Sequence, residues 1–358
     1  MQKLSLPGMA MWSIWQPDRS MYFNSFFLER QDGNIVVDPL STTDDDIAYL
    51  KQHGGVAWIV ITNRDHERRA RDLVEVTGAK IACGEKEAAL LSGPVERTLK
   101  GDEPLAAGIK VVALDGGKTP GEIALYLQGR KAAIVGDALW GDPAGAVRLP
   151  PDEKLIDPGK AALSLRQIWA LRLEVLLVGD GACIFGNADA IIGDCLQARS
   201  DVYVYVNRIN LDELYVTERF SEGNGRYEGI YQEIGLLIGA RKLGYQITTL
   251  PPGKRLCPFH AEDMEEEMFI VWEGEAVIRT LRGEYVCRQG DVIAFPIGDI
   301  GTHEVINKSD KPCRVFMLGM EDPKSVAYYP DSKKVLVGSR NRLILRTEPA
   351  LDYYDGET

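Results

Sequence analysis

Two stretches in the second half of the chain, Gly253–Glu275 (GKRLCPFHAEDMEEEMFIVWEGE) and Gly290–Asn307 (GDVIAFPIGDIGTHEVIN), carry two of the four histidines, His260 and His303. Each histidine lies in a strand-like pattern punctuated by Gly and Pro, as in short strands joined by tight turns. Residues two apart on a strand face the same side, so His260 and Glu262 are expected to look the same way. Imidazole and carboxylate donors together suit a first-row divalent ion, and donor chemistry alone does not choose among manganese, iron, nickel and zinc.

Around these stretches, from about Arg208 onward, the chain is β-rich and split by PPG, EGE, RGE, QGD and PIGDIG. That spacing predicts a sandwich or barrel. Upstream the texture differs. AWIVITN (57–63), AAIVGD (132–137) and EVLLVGDG (174–181) are apolar runs ending in polar residues, the pattern of strands covered on both faces. Helical patterns alternate with them over Glu67–Val76 and Pro158–Leu173, the second with proline near its start. The fold class expected is α+β, with domains at 1–205 and 206–340 and a polar, acidic tail at 341–358.

At 358 residues the chain is long enough for two cores. No apolar run is long enough to span a bilayer, and the start lacks the ordered regions of a secretory signal, so a cytoplasmic protein is expected. The six cysteines are scattered without a CxxC pair, which suits reduced buried thiols. A net charge of −12 repels phosphate backbones and anionic membrane surfaces, leaving small molecules and protein partners as the expected ligands. No GxSxG elbow or GxxxxGK[ST] loop is present, which argues against a triad hydrolase and a P-loop nucleotide site.

The second half resembles the cupin superfamily, with Gly253, His260, Glu262, Glu267 and Gly274 falling in the first motif and Gly290, Pro296, Gly298, His303 and Asn307 in the second. The resemblance implies a β-barrel (double-stranded β-helix) whose adjacent strands point His260, Glu262, Glu267 and His303 at one divalent metal ion per chain. Glu262 stands where most metal-binding cupins place histidine. The added carboxylate hardens the donor set and favours manganese or iron over nickel or zinc. An empty barrel, with the acidic run 262–267 as a solvated turn, is the competing reading. The resemblance also implies a homodimer.

Tyr22 to Arg199 resembles the metallo-β-lactamase αβ/βα sandwich, but with its metal ligands largely replaced. In ITNRDHERRA (61–70), Asn63, Asp65, Glu67 and Arg68 stand at positions read in that family as His, His, Asp and His. His66 falls in a spacer position and is expected as a surface residue at a helix N-terminus. GKTPGEIALYL (117–127) puts Lys118 in place of a histidine, GDAL keeps an aspartate as Asp137, and VGDG carries Asp180 where histidine is expected. Arginine and lysine do not ligate zinc at neutral pH. A vestigial hydrolase site held by ion pairs, with Trp140 covering it, is therefore expected.

Two function classes follow. One is an enzyme in which the cupin ion acts on a small oxygenated organic molecule by dioxygenase, isomerase or lyase chemistry, with Glu267 or Glu262 as base. The other is a non-catalytic small-molecule binding or regulatory protein using the same barrel.

Overall fold

The computed structural model describes residues 1–199, 201, 206–213, 218–338, 342–352 and 355–356. The chain divides into two compact units, Met1–Arg208 and Ile209–Thr358. Among the described residues no helix is long and apolar enough to cross a membrane.

The first unit is built on two sheets. One has seven strands in chain order, of which the last four, Ile35–Val37, Trp58–Ile61, Lys80–Gly84 and Arg97–Leu99, are parallel. The other has five, ordered Val175–Val178, Ala132–Val135, Ile123–Leu127, Ile109–Ala113 and Pro104–Ala106. Their side chains alternate between two buried layers. Phe26, Leu28, Val37 and Val60 meet Val111, Ile123, Leu125, Ile134 and Leu177 between the sheets. The intervening Phe27, Val36, Ile59 and Ile61 instead pack with Leu50, Ala70 and Leu73 from the helices Asp44–Gln52 and Ala70–Thr77. On the far side, Ala133, Val135, Leu176 and Val178 pack with residues of Pro158–Ala170 and Ala188–Ala198. Strands covered on both faces carry no polar alternation, which explains the continuous apolar runs in the sequence.

The helix expected over Glu67–Val76 begins later, at Ala70. Asn63 first caps a 3-10 turn over Arg64–His66, and Arg68 then takes a left-handed conformation, φ 39°. A residue there interrupts helical hydrogen bonding and delays the start.

In the second unit a six-stranded sheet runs Glu218–Glu222, Tyr227–Glu233, Leu243–Leu250, Cys313–Met320, Glu267–Glu273 and Val292–Phe295. A three-stranded sheet runs Gly283–Arg288, Glu275–Thr280 and His303–Ile306. Phe269, Val271, Phe295 and Val315 from the first share a core with Ala276, Ile278, Cys287 and Val305 from the second. The short strand Ala261–Glu262 joins a further four-stranded sheet by pairing with Val326–Tyr329. That sheet ends in Leu343–Arg346, paired with Lys334–Val337. Part of the stretch expected as a loose tail is thus a strand, with all four side chains exposed.

Candidate functional site

His260 and His303 are brought face to face by the backbone. They form an isolated antiparallel bridge, with His260 N donating to His303 O at 3.1 Å and His303 N donating to His260 O at 2.8 Å. Their rings lie 4.8 Å apart. His260 Nδ1 is 2.9 Å from Pro258 O, and His303 Nδ1 is 2.9 Å from Gly301 O. A carbonyl oxygen only accepts, so in both neutral rings Nδ1 carries the proton and Nε2 keeps its lone pair. Both rings are held neutral. Burial pushes the His260 pKa down, and burial followed by the His260 charge pushes that of His303 down to about 3.

Each free Nε2 faces a carboxylate. His260 Nε2 is 3.6 Å from Glu262 Oε1, and His303 Nε2 is 3.5 Å from Glu267 Oε2. Ser325 Oγ donates to the other Glu262 oxygen at 3.1 Å, orienting the carboxyl. His303 Nε2 and Glu267 Oε2 are buried without a hydrogen-bond partner. Two lone-pair atoms left facing each other in a buried place are costly unless a proton or cation lies between them. Burial, then neighbouring carboxylates, raise Glu267 to about 8 and Glu262 to about 7. These donors fit a divalent ion. Each imidazole–carboxylate pair is spaced near two ligands each about 2.1 Å from one ion, and the Nδ1–carbonyl bonds are the usual orienting contacts of metal-binding histidines.

Cys257 also lies near this group, within 4.8 Å of His260 and His303 nitrogens. Its Sγ is 3.8 Å from His260 Nδ1, the nitrogen already donating to Pro258. Burial, then the charges of Glu267, Glu304 and Glu262, raise its thiol pKa far above the ordinary range in the metal-free protein. The site thus offers two imidazole nitrogens with either the thiol of Cys257 or the carboxylates of Glu262 and Glu267 beside them.

In the first unit, a cleft of about 580 Å³ opens where the parallel strands end. Asp65, Lys118, Asp137 and Asp180 line it, as does Arg68. Lys118 Nζ lies 2.8 Å from Asp137 Oδ2 and 3.2 Å from Asp65 Oδ2, while Arg68 Nη2 lies 2.6 Å from Asp180 Oδ1. Burial, which favours the neutral form, is outweighed for Asp137 by His66 and Lys118, so its pKa falls; for Asp180 burial wins and the pKa rises. Asn63 is buried behind them, its Nδ2 3.3 Å from Asp137 Oδ2. Glu67 is turned away. It accepts from Arg71 Nε at 2.8 Å and from Ser92 N and Oγ. Trp140 is a buried wall of the cleft, and its Nε1 donates to Asp137 Oδ1 at 3.0 Å.

His66, expected on the surface, is buried at 2% exposure. Its Nδ1 is 2.8 Å from Asp38 Oδ2, and its Nε2 lies 3.6 Å from Asp137 Oδ2 and 3.7 Å from Asp180 Oδ1. The Asn63 cap turns the imidazole inward, and Gly179 makes room for it: a Cβ at 179 would sit 2.5 Å from His66 Cε1. Gly136 allows a similar approach, since a Cβ there would meet Thr62 Oγ1 at 2.3 Å. The glycine before each aspartate in GDAL and VGDG is therefore required for packing.

Two buried acids were not singled out from the sequence. Asp38, at φ 51°, accepts from Thr62 N, Thr62 Oγ1 and the His66 ring. Glu122 accepts from Ala138 N at 2.8 Å, and burial followed by the Asp137 charge raises it to about 8. Asp38 ends the apolar run Ile35–Val37, the same strand-then-aspartate signal that marks Asp137 and Asp180.

A model of the metallo-β-lactamase superfamily matches residues 1–198, more than half of the chain. The chain belongs to the metallo-β-lactamase superfamily. A cupin domain model matches residues 246–319 of this superfamily member. No curated protein matches it. Similar solved structures include a metallo-β-lactamase from Pontibacter korlensis, 16% identical over 55% of this chain and 96% of that one, TM-score 0.47. A metallo-β-lactamase family protein from Thermus thermophilus is 17% identical over 60% of this chain and 85% of that one, TM-score 0.42. A sugar phosphate isomerase from a cupin superfamily, from Silicibacter pomeroyi, is 25% identical over 41% of this chain and 98% of that one, TM-score 0.36.

Proposed function

We propose that the second unit is a mononuclear divalent-metal site acting on a small oxygenated organic molecule, carried by a metallo-β-lactamase-type unit whose dinuclear site has given way to ion pairs. The observation that carries the reading is the facing pair of buried, unpartnered atoms, His303 Nε2 and Glu267 Oε2, with His260 and Glu262 arranged alike beside them. Two imidazoles and two carboxylates form a hard, anionic set that suits manganese or ferrous iron. When bound, such an ion supplies Lewis-acid polarisation of a substrate oxygen. The protein's own part is to fix the rings through Pro258 and Gly301, orient Glu262 through Ser325, and offer Glu267 or Glu262 as a carboxylate base.

In the first unit the cations stand where a metal's charge is needed. Lys118 and Arg68 occupy oxygens of Asp137 and Asp180. Of the four positions in the 63–68 motif, Asn63 and Arg68 cannot act as anionic or imidazole ligands, and Glu67 faces Ser92. On this reading Asn63 and Arg68 leave the zinc pattern incomplete, while His66, Asp137 and Asp180 keep donor atoms within 4.8 Å of one another.

The test is metal content in protein purified without chelators, comparing wild type with H260A/H303A and D137A. About one ion per chain, lost only in the histidine double variant, is the expected result. Loss with D137A instead would reverse the assignment of the two units.

A further inference from the structure

Five cations line the cleft of the first unit: Arg19, Arg68, Lys118, Arg148 and Lys154. Four aspartates line it too, Asp18, Asp65, Asp137 and Asp180. The chain as a whole carries −12, so basic groups are gathered here against the overall balance. They fall into two layers. Lys118 and Arg68 are committed to the inner carboxylates. Arg19, Arg148 and Lys154 form the outer layer, and among the described residues neither Arg19 nor Lys154 has a carboxylate in ion-pair contact. Arg148 pairs with Asp142 at 2.9 Å, with both side chains more than a third exposed. Such a pair is worth about 0–1 kcal/mol and yields readily to a better acceptor.

Two members of the outer layer, Arg148 and Lys154, are placed by Trp140. Trp140 and Arg148 form an antiparallel bridge, each N donating to the other's O at 2.9 Å. The Arg148 guanidinium lies 4.8 Å from the Trp140 ring centre and the Lys154 ammonium 5.2 Å from it. Asp137 holds the indole from behind through Nε1. Trp140 therefore holds both cations within about 5 Å of its ring, and all three residues line the cleft of about 580 Å³.

We infer that this cleft binds a small organic anion with two negative charges, a phosphate monoester or a dicarboxylate, held by Arg148 and Lys154 beside Trp140 with Arg19 as a third contact. Guanidinium supplies a planar fork for an oxyanion and ammonium a compact point charge, so the pair recognises charge and shape together. The cavity volume is in the range of small-molecule sites. The inference rests on the reading that Lys118 and Arg68, rather than metal ions, neutralise the inner carboxylates.

The test uses the full chain after chelator treatment, with metal content measured on the same sample. Calorimetric titration at low ionic strength uses inorganic phosphate and malonate as separate probes. We expect one probe to saturate at one site per chain, to bind at least tenfold more weakly to R148A/K154A, and to weaken with added salt. The probe that saturates identifies the anion as phosphate or carboxylate. R19A and K154Q, which break no ion pair, provide the same comparison should the double variant fail to fold. Failure of both probes to saturate zinc-free protein, or unchanged binding in the folded variants, overturns the anion site alone. Zinc retained through Asp137, with anion binding only in its presence, overturns the ion-pair reading and the site together.

Discussion

His303 Nε2 and Glu267 Oε2 face each other 3.5 Å apart in the second unit, both buried and both without a hydrogen-bond partner. One proton or one metal ion between them satisfies both atoms, so the two must compete. Glu267 is raised to about 8 and Glu262 to about 7, chiefly by burial. Metal binding to the folded protein must then release protons at neutral pH. Two protons must leave below pH 7 and about one between pH 7 and 8, so apparent manganese affinity should rise by well over tenfold from pH 6 to 7, by about tenfold or less from pH 7 to 8, and level off above pH 8. Titration in buffers of different ionisation enthalpy measures the protons released, and none released at pH 6.5 would contradict this assignment.

Stability of the metal-free protein has the opposite pH dependence. Both glutamates have folded pKa values above their unfolded ones, so as pH rises past about 4.5 the unfolded chain loses its protons first. The second unit should lose stability progressively up to about pH 8 in chelator, and manganese should restore it. Melting curves from pH 5 to 9, with and without the ion, check both halves. A flat profile in chelator would count against the raised carboxyls.

Cys257 and Glu262 separate two possible donor sets. The thiol sits at the protonated edge of His260, whereas Glu262 Oε1 faces the free Nε2. C257S should keep its metal, and E262A should lose affinity by about 10- to 100-fold or more, the scale for removing supporting or ligating groups. Metal analysis and manganese titration of the two variants decide; loss of metal in C257S would replace the glutamate with the thiol.

Lys118 and Asp137 form a largely buried pair at 2.8 Å. Removing one partner leaves the other charge unpaired, with a cost on the order of 3 kcal/mol. K118M and D137N should each destabilise the chain, while the double variant should recover part of the loss, a coupling of at least about 1 kcal/mol. Chemical denaturation of the four proteins in the cycle measures it. Additive effects would mean that the pair is solvated.

Gly179 and Gly186 provide a matched contrast. A Cβ at 179 meets His66 Cε1 at 2.5 Å, whereas one at 186 meets nothing within 4 Å. G179A should cost about 1–3 kcal/mol and disrupt the His66–Asp38 contact, seen as a change in the imidazole Nδ1–H resonance. G186A should leave both unchanged. An undisturbed His66 signal in G179A would show that the ring has more room than the packing allows.

The proximity of His260 to Glu262 and of His303 to Glu267 was legible because each residue is placed by local rules. Two-residue alternation puts His260 and Glu262 on one face, and turns delimited by Gly274, Gly290 and Gly298 position the neighbouring strands. The first cleft was legible only in part. Lys118, Asp137 and Asp180 follow directly after strands or turns, so the frame of the motifs located them. His66 was misjudged because its direction depends on the Asn63 cap and on space left by Gly179, more than a hundred residues away. Glu67 has the right register but the wrong orientation, since the left-handed Arg68 delays the helix and Ser92 captures the carboxylate. Asp38 and Glu122 act through tertiary contacts that no spacing rule encodes.

The reciprocal backbone hydrogen bonds between His260 and His303 have a consequence for ionic size. Each residue is both donor and acceptor to the other, which fixes the separation of the two Cα atoms and with it the bite of the two imidazoles. Calcium, which takes six to eight oxygens at about 2.3–2.6 Å, needs a ring of ligands that spreads. A pair of nitrogens clamped in this way does not spread, which works against a calcium-sized ring of ligands.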